Sequence, residues 1–162
     1  MAFLSELRLV EMPARQLAGQ RVRMSLVQNR SAELWQAFRP LATQVSGRIG
    51  GDFFSVQVYD GVEYFTAFRP DRDFTRWAAV EITEGSALPA GLEILELPAG
   101  QYAVFDYRGT PAEFAAYAEQ IYGRLLPQAG FRLDNRPHFE ILGPAYRPND
   151  SNAEETIWIP VC

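Results

Sequence analysis

Hydrophobic positions fall into two helical stripes and several alternating runs along this chain. In residues 31–45 (SAELWQAFRPLATQV), Leu34, Phe38, Leu41 and Val45 recur at the spacing of one helical face. Ser31 is the candidate N-cap, because a serine oxygen there accepts from the free amides of the first turn. Residues 111–126 place Phe114, Tyr117, Ile121 and Leu125 in the same way. Ahead of them Thr110, Pro111 and Glu113 spell an N-cap, a first-turn proline and a capping-box glutamate, and Gly130 is the expected stop. Each predicted helix carries an aromatic five residues before a proline, Trp35 before Pro40 and Tyr122 before Pro127. Proline lacks an N–H and crowds the preceding turn, so both helices are expected to break or kink there.

Strand-like runs follow each helix. They are Phe53–Tyr59 (FFSVQVY) and Trp77–Ile82 (WAAVEI), then His138–Leu142 (HFEIL) and Thr156–Val161 (TIWIPV). All are rich in β-branched and aromatic residues and bounded by turn formers. Residues 83–92, with Gly85, Pro89 and Gly91, read as a connector. A repeat organises the whole. Residues 9–19 (LVEMPARQLAG) match residues 94–104 (ILELPAGQYAV) at an offset of 85, with identities at Glu11/Glu96, Pro13/Pro98, Ala14/Ala99, Gln16/Gln101 and Ala18/Ala103. Each half therefore reads β-α-β-β. The expected fold class is α+β: duplicated β-α-β-β units, about residues 5–82 and 91–162, related by a pseudo-twofold axis. Antiparallel sheets would carry the helices on one face and leave a cleft between the repeats.

Alternation sorts the strands by face. In the last strand Ile157, Ile159 and Val161 share one side, and Trp158 and Pro160 the other. In the strand before it, His138, Glu140 and Leu142 oppose Phe139 and Ile141. If the isoleucines pack under a helix, Trp158 and Glu140 are expected together on the far side, with Trp77 at the corresponding place of the first half. Tyr59, Tyr64, Phe65, Phe68, Tyr102 and Tyr107 are candidates to line such a groove. A carboxylate walled by aromatics suits an organic cation, because ring faces attract positive charge and the carboxylate supplies the net charge they lack. The structural alternative pairs Glu140 with Arg132, Arg136 or Arg147.

Composition narrows the partners. The chain has 162 residues, 48% hydrophobic and 22% charged, which is globular usage for one domain with a real core. A net charge of −5 argues against a phosphate-backbone binder and favours a cationic partner. The single cysteine, Cys162, and the single histidine, His138, exclude a cysteine or multi-histidine metal site, and no cofactor is expected. No run is long and apolar enough for a membrane span, and Met1–Arg8 lacks the pattern of a signal peptide, so a cytoplasmic protein is expected.

The runs WAAVE, LPAGQYAVFDYRG, RPHFEILG and EETIWIPV resemble the GyrI-like, AraC-type effector-binding domains, closest to the branch of integron-cassette drug-binding proteins. The likeness extends from about residue 8 to 161. It implies a duplicated β-α-β-β fold that binds small, often cationic or amphipathic molecules in a cleft between its halves. It also implies that the glutamate of the HFEIL strand, Glu140, is central, and that Trp77, Tyr102 and Trp158, with Tyr59 and Tyr107, line the cleft. Regulators of this kind carry a fused DNA-binding helix-turn-helix, for which these residues leave no room. Direct nucleic-acid binding is therefore not expected, while a separate regulator is a possible partner. Two other functions stay open: hydrolysis of a small electrophile, with Glu140 as general base and Tyr102 or Tyr107 as proton donor, and docking to a partner protein, as in gyrase-inhibiting relatives.

Other features read as structural. His138, two residues from Glu140 on the same predicted strand face, reads as a structural strand-edge histidine rather than half of an acid–base pair, and Ser46–Asp52 is a turn without the lysine and hydroxyl of a phosphate cradle. Asp150–Glu155 (DSNAEE) reads as a solvated loop, and the arginines of Phe68–Trp77 are balanced by aspartates.

Overall fold

The computed structural model describes residues 2–162. Its elements are β1 (Phe3–Leu4), β2 (Arg8–Met12), β3 (Arg15–Met24), α1 (Ser31–Ala42), β4 (Phe53–Val58), α2 (Glu63–Thr66) and β5 (Phe74–Ile82). After the connector come β6 (Glu93–Leu97), β7 (Gly100–Arg108), α3 (Pro111–Gln120), β8 (His138–Leu142) and β9 (Glu154–Pro160). The protein is α+β, with one antiparallel nine-stranded sheet in the order β1-β7-β9-β8-β4-β5-β3-β6, and β2 also pairing with β7.

The matched Pro-Ala pairs explain how that sheet closes. β2 and β3 are separated only by Pro13 and Ala14, yet they lie toward opposite ends of the strand order. β6 and β7, separated by Pro98 and Ala99, do the same. Chain continuity over so short a link requires a sheet curled until its ends approach each other. The first strand expected in each half is therefore two strands, divided where proline withholds a ladder donor. The ladders β2·β7 and β3·β6 are the two products of that crossing. At the centre β4 pairs with β8, and Ser55 faces Glu140, residues separated by the 85 positions of the sequence repeat.

Both helices lie on one face. Leu34, Phe38 and Ala42 of α1 pack on Ala18, Ala78, Val80, Ile82, Phe53 and Leu142. Ile121 and Leu126 pack on Ala103, Phe105, Ile157, Ile159 and Val161. Inside the curl, Met12, Leu17, Val56, Trp77, Leu97, Tyr102, Val104 and Phe139 form a separate core. Burial on this scale, at roughly 25 cal/mol per Å2 of apolar surface, is what favours the sheet over open chain.

The helix ends depart from expectation in two places. Ser31 is the first helical residue rather than the cap; Arg30 occupies the cap position, and Asn29 Oδ1 accepts from the Ser31 amide at 2.9 Å. Neither proline breaks its helix. Pro40 sits in the last turn of α1, where the carbonyl it cannot serve belongs to exposed Gln36 and is free to meet water. Before Pro127 the chain widens into a π-helical turn, Ile121–Leu125, in which the Leu126 amide reaches back to the Ile121 carbonyl, before a last turn Leu126–Gln128. Gly130 ends the run with φ +81°. The capping box of α3 is formed: Thr110 Oγ1 accepts from the Glu113 amide at 3.3 Å, and Glu113 Oε1 accepts from the Thr110 amide at 3.0 Å. Thr110→Ala is expected to cost about 1 kcal/mol, read as a melting temperature lowered by roughly 2–4 °C; an unchanged melting temperature would mean the cap contributes nothing.

Candidate functional site

Where α1 and α3 part, the central strands carry a buried to half-buried polar stripe on the helix face. Ladder register places its members. Ser55 lies opposite Glu140 and Glu140 opposite Ile157, while Leu142 lies opposite Glu155, so the two glutamates are diagonal neighbours on one face. Gln57 lies between His138 on one side and Arg76 on the other. The stripe thus runs Arg76, Gln57 and Ser55, Glu140, Glu155 across four strands.

Its charges are incompletely paired. Glu140 is half-buried as a residue, yet its Oε2 is sealed from solvent and has no hydrogen-bond partner among the described residues. Arg76 Nη1 donates to Ser55 Oγ at 2.9 Å, and its buried Nε finds no acceptor. Burial pushes the Glu140 carboxyl above the ordinary range, against the opposing pull of the Arg76 charge and of the Gln57 amide. Glu155 is pushed up to about 8, first by burial and then by the Glu140 charge, against the opposing pull of Tyr146 and Arg76. Burying a carboxylate without full pairing is costly, so such groups hold their protons.

Three tyrosines lie within electrostatic reach of Glu140: Tyr59, Tyr122 and Tyr146, whose hydroxyls are raised first by burial. Phe65 of α2 stacks on Tyr122 at 4.5 Å and on His138 at 5.1 Å, tying the β4–β5 connection to the π-turn of the other half. His138 is buried, its Nδ1 lies 3.1 Å from the Tyr122 hydroxyl, and burial followed by Arg136 lowers it to about 3, so the ring is neutral.

The structure divides the residues that the sequence grouped. Tyr59 is close enough to Glu140 to feel its charge. Trp77, Tyr102 and Trp158 lie on the other face: Trp158 pairs with Phe139, whereas Glu140 pairs with Ile157, so Glu140 shares the helix face with the isoleucines and Trp158 the inner face. The inner aromatics also have cations of their own, Arg21 over Trp77 at 5.7 Å, Arg15 over Trp158 at 5.9 Å and Arg136 over Tyr102 at 4.6 Å. Tyr107 lies on the helix face opposite Glu155, but its hydroxyl, raised by burial to about 12, donates to the Thr110 carbonyl at 2.7 Å. The Tyr102 hydroxyl donates to the Pro98 carbonyl at 3.2 Å. Neither tyrosine is therefore positioned as the proton donor expected for hydrolysis at Glu140. Arg136 binds Asp134 at 2.7 Å instead of Glu140.

Arg76, Glu155, Tyr122 and Tyr146 were not read as site residues. The signal for Glu155 was its parity with Ile157 and Ile159, hidden because the acidic run before them looked like solvated loop. Two surface grooves lie elsewhere, one of about 610 Å3 beside α1 lined by Gln20, Val22, Leu34 and Leu92, and one of about 340 Å3 lined by Leu7, Tyr117 and Leu125. Glu140 lines neither. Among the described residues no group of acidic, histidine or cysteine side chains could hold a metal ion, and no helix is long and apolar enough to cross a membrane.

A curled antiparallel sheet with two helices flanking a buried polar stripe defines a small α+β ligand-binding architecture. The chain matches the GyrI-like small molecule binding domain over residues 5–161 and belongs to that family. It is similar to the transcriptional regulator BrlR of Pseudomonas aeruginosa, 29% identical over 155 residues that cover 95% of this chain and 54% of the regulator. The chain thus spans about half the length of that curated relative. Its fold is that of SAV2435, solved bound to tetraphenylphosphonium (TM-score 0.69, 17% identity, covering 97% of this chain and 94% of the other). It also matches the integron cassette protein VCH_CASS2 of Vibrio cholerae (TM-score 0.65, 12% identity, covering 99% of each).

Proposed function

We propose that this protein is a receptor for a small organic molecule, cationic or amphipathic, held between α1 and α3 with its positive centre at Glu140. The observation that carries this reading is the buried Glu140 Oε2 without a hydrogen-bond partner among the described residues, set among Tyr59, Tyr122 and Tyr146. A cation entering there would supply the missing partner and repay the desolvation of the carboxyl. Cation–ring attraction adds about 2 kcal/mol when water is excluded. Arg76, tied to Ser55, leaves that role open. The tetraphenylphosphonium bound by SAV2435 supports the ligand class, and the likeness to BrlR supports a role in sensing. In this reading the chain acts in the cytoplasm as one effector-binding domain of two repeats, about 5–82 and 91–162, and reports to a separate regulator. The shared offset of 85 in sequence and in the central ladder supports the duplication.

A thermal-shift panel of lipophilic cations with matched neutral analogues tests it. Cations at about a hundredfold excess over their Kd are expected to add about 2.7 kcal/mol, a rise of roughly 5–10 °C. Equal responses to the neutral analogues would contradict the reading. In this reading a ligand reaches Glu140 past the stacked Phe65 and Tyr122 rings. Phe65→Ala is therefore expected to speed both association and dissociation several-fold in stopped-flow measurements with a fluorescent cation. Unaltered rates would place the entrance elsewhere.

A further inference from the structure

The stripe contains two buried polar atoms of opposite hydrogen-bonding sense. Glu140 Oε2 is an acceptor, Arg76 Nε is a donor, and neither has a partner among the described residues. Buried polar groups are overwhelmingly paired, so two such atoms on one short stripe require a common explanation. They lie on the same face. Arg76 Nη1 is fixed at 2.9 Å to Ser55 Oγ, and Ser55 is the cross-strand neighbour of Glu140. The Arg76 guanidinium lies over Phe74, its carbon 5.5 Å from that ring's centre, which holds it at one end of the stripe. Its charge reaches Glu140, Glu155 and Tyr59. A purely hydrophobic cation would answer the carboxyl and leave the guanidinium donor unpaired beside a like charge. A ligand with both a cationic centre and a nearby acceptor would answer both.

We infer that the preferred ligand is bifunctional: an organic cation carrying a carbonyl, amide, phenolate or carboxylate oxygen that accepts from Arg76 while the cationic centre sits at Glu140. This inference rests on the cation-receptor reading above and sharpens its ligand class. Arg76 becomes the specificity-determining residue. It repels simple cations slightly and selects those that bring an acceptor.

The test compares N-benzylpyridinium with its ortho, meta and para carbamoyl derivatives, four cations of equal charge, by calorimetric titration of the wild type, Arg76→Met and Glu140→Gln. At least one carbamoyl isomer is expected to bind the wild type about tenfold more tightly than the parent, the range of a hydrogen bond to a charged group. In Arg76→Met the parent and its isomers are expected to bind with equal affinity, and an unchanged circular dichroism spectrum and cooperative melting show that the variant is folded. If no isomer exceeds the parent in the wild type, or if the preference survives in Arg76→Met, the bifunctional inference is overturned and the cation reading stands. If parent and isomers all fail to bind, or if Glu140→Gln binds them all unchanged, the cation reading itself fails and takes the inference with it.

Discussion

Glu140→Gln is expected to lower affinity for a lipophilic cation by about two orders of magnitude, the loss of a buried charged partner. The ligand-free protein is expected to become more stable at the same time. The carboxyl sits in a sealed stripe with Oε2 unpartnered, and burial raises it above its ordinary range. Glutamine keeps the shape and removes the ionisation. The gain should grow as pH rises above the ordinary glutamate range, where burial opposes ionisation of the native carboxyl, and is read as a melting temperature higher than wild type at alkaline pH. A binding residue retained at the expense of stability behaves in this way. Unchanged affinity would remove Glu140 from the site, and a lowered melting temperature would make it a structural residue.

Acidity should govern both stability and binding. Glu155 is raised from the ordinary 4.5 to about 8, with Glu140 raised beside it, so the folded protein holds these protons more firmly than the unfolded chain. The stability they contribute is complete below pH 4.5 and is lost as pH climbs through 8. His138 works in the opposite direction. It is lowered from 6.5 to about 3 and stays neutral in the fold, so stability falls as pH drops below 6.5 toward 3. The ligand-free melting temperature is therefore expected to peak between pH 4.5 and 6.5 and to fall on both sides. A cation must displace protons from the carboxyls, so its affinity should rise by up to about tenfold per pH unit as pH approaches 8. Glu155→Gln should flatten the alkaline part of both profiles. Affinity that falls with rising pH would contradict the charge assignment.

Much of this was legible in the residues. Periodicity located both helices because their apolar faces are regular, and the Thr110–Glu113 box fixed the start of α3. The HFEIL strand was found residue for residue. The prolines misled because local geometry absorbs them, Pro40 in a final turn and Pro127 behind a π-turn. The site was legible in part. The sequence grouped Glu140 with Trp77, Tyr102 and Trp158 on one face, whereas the ladder register puts Glu140 on the helix face and those three aromatics on the inner one. The difference has one cause: alternation gives the faces within a strand but not the register between strands. A shift of one residue between β8 and β9 exchanges Trp158 for Ile157 opposite Glu140. Arg76 was beyond reach for the same reason, since only the pairing of β4 with β5 brings it to Gln57.

The most direct test is a crystal structure of the protein with tetraphenylphosphonium. The phosphonium centre is predicted between α1 and α3, within about 6 Å of the Tyr59 and Tyr122 ring faces, the reach of a cation–ring contact, with the Glu140 carboxyl turned toward it. A ligand seated instead in the groove beside α1, against Gln20, Val22 and Leu92, or inside the curl against Trp77 and Trp158, would contradict the account.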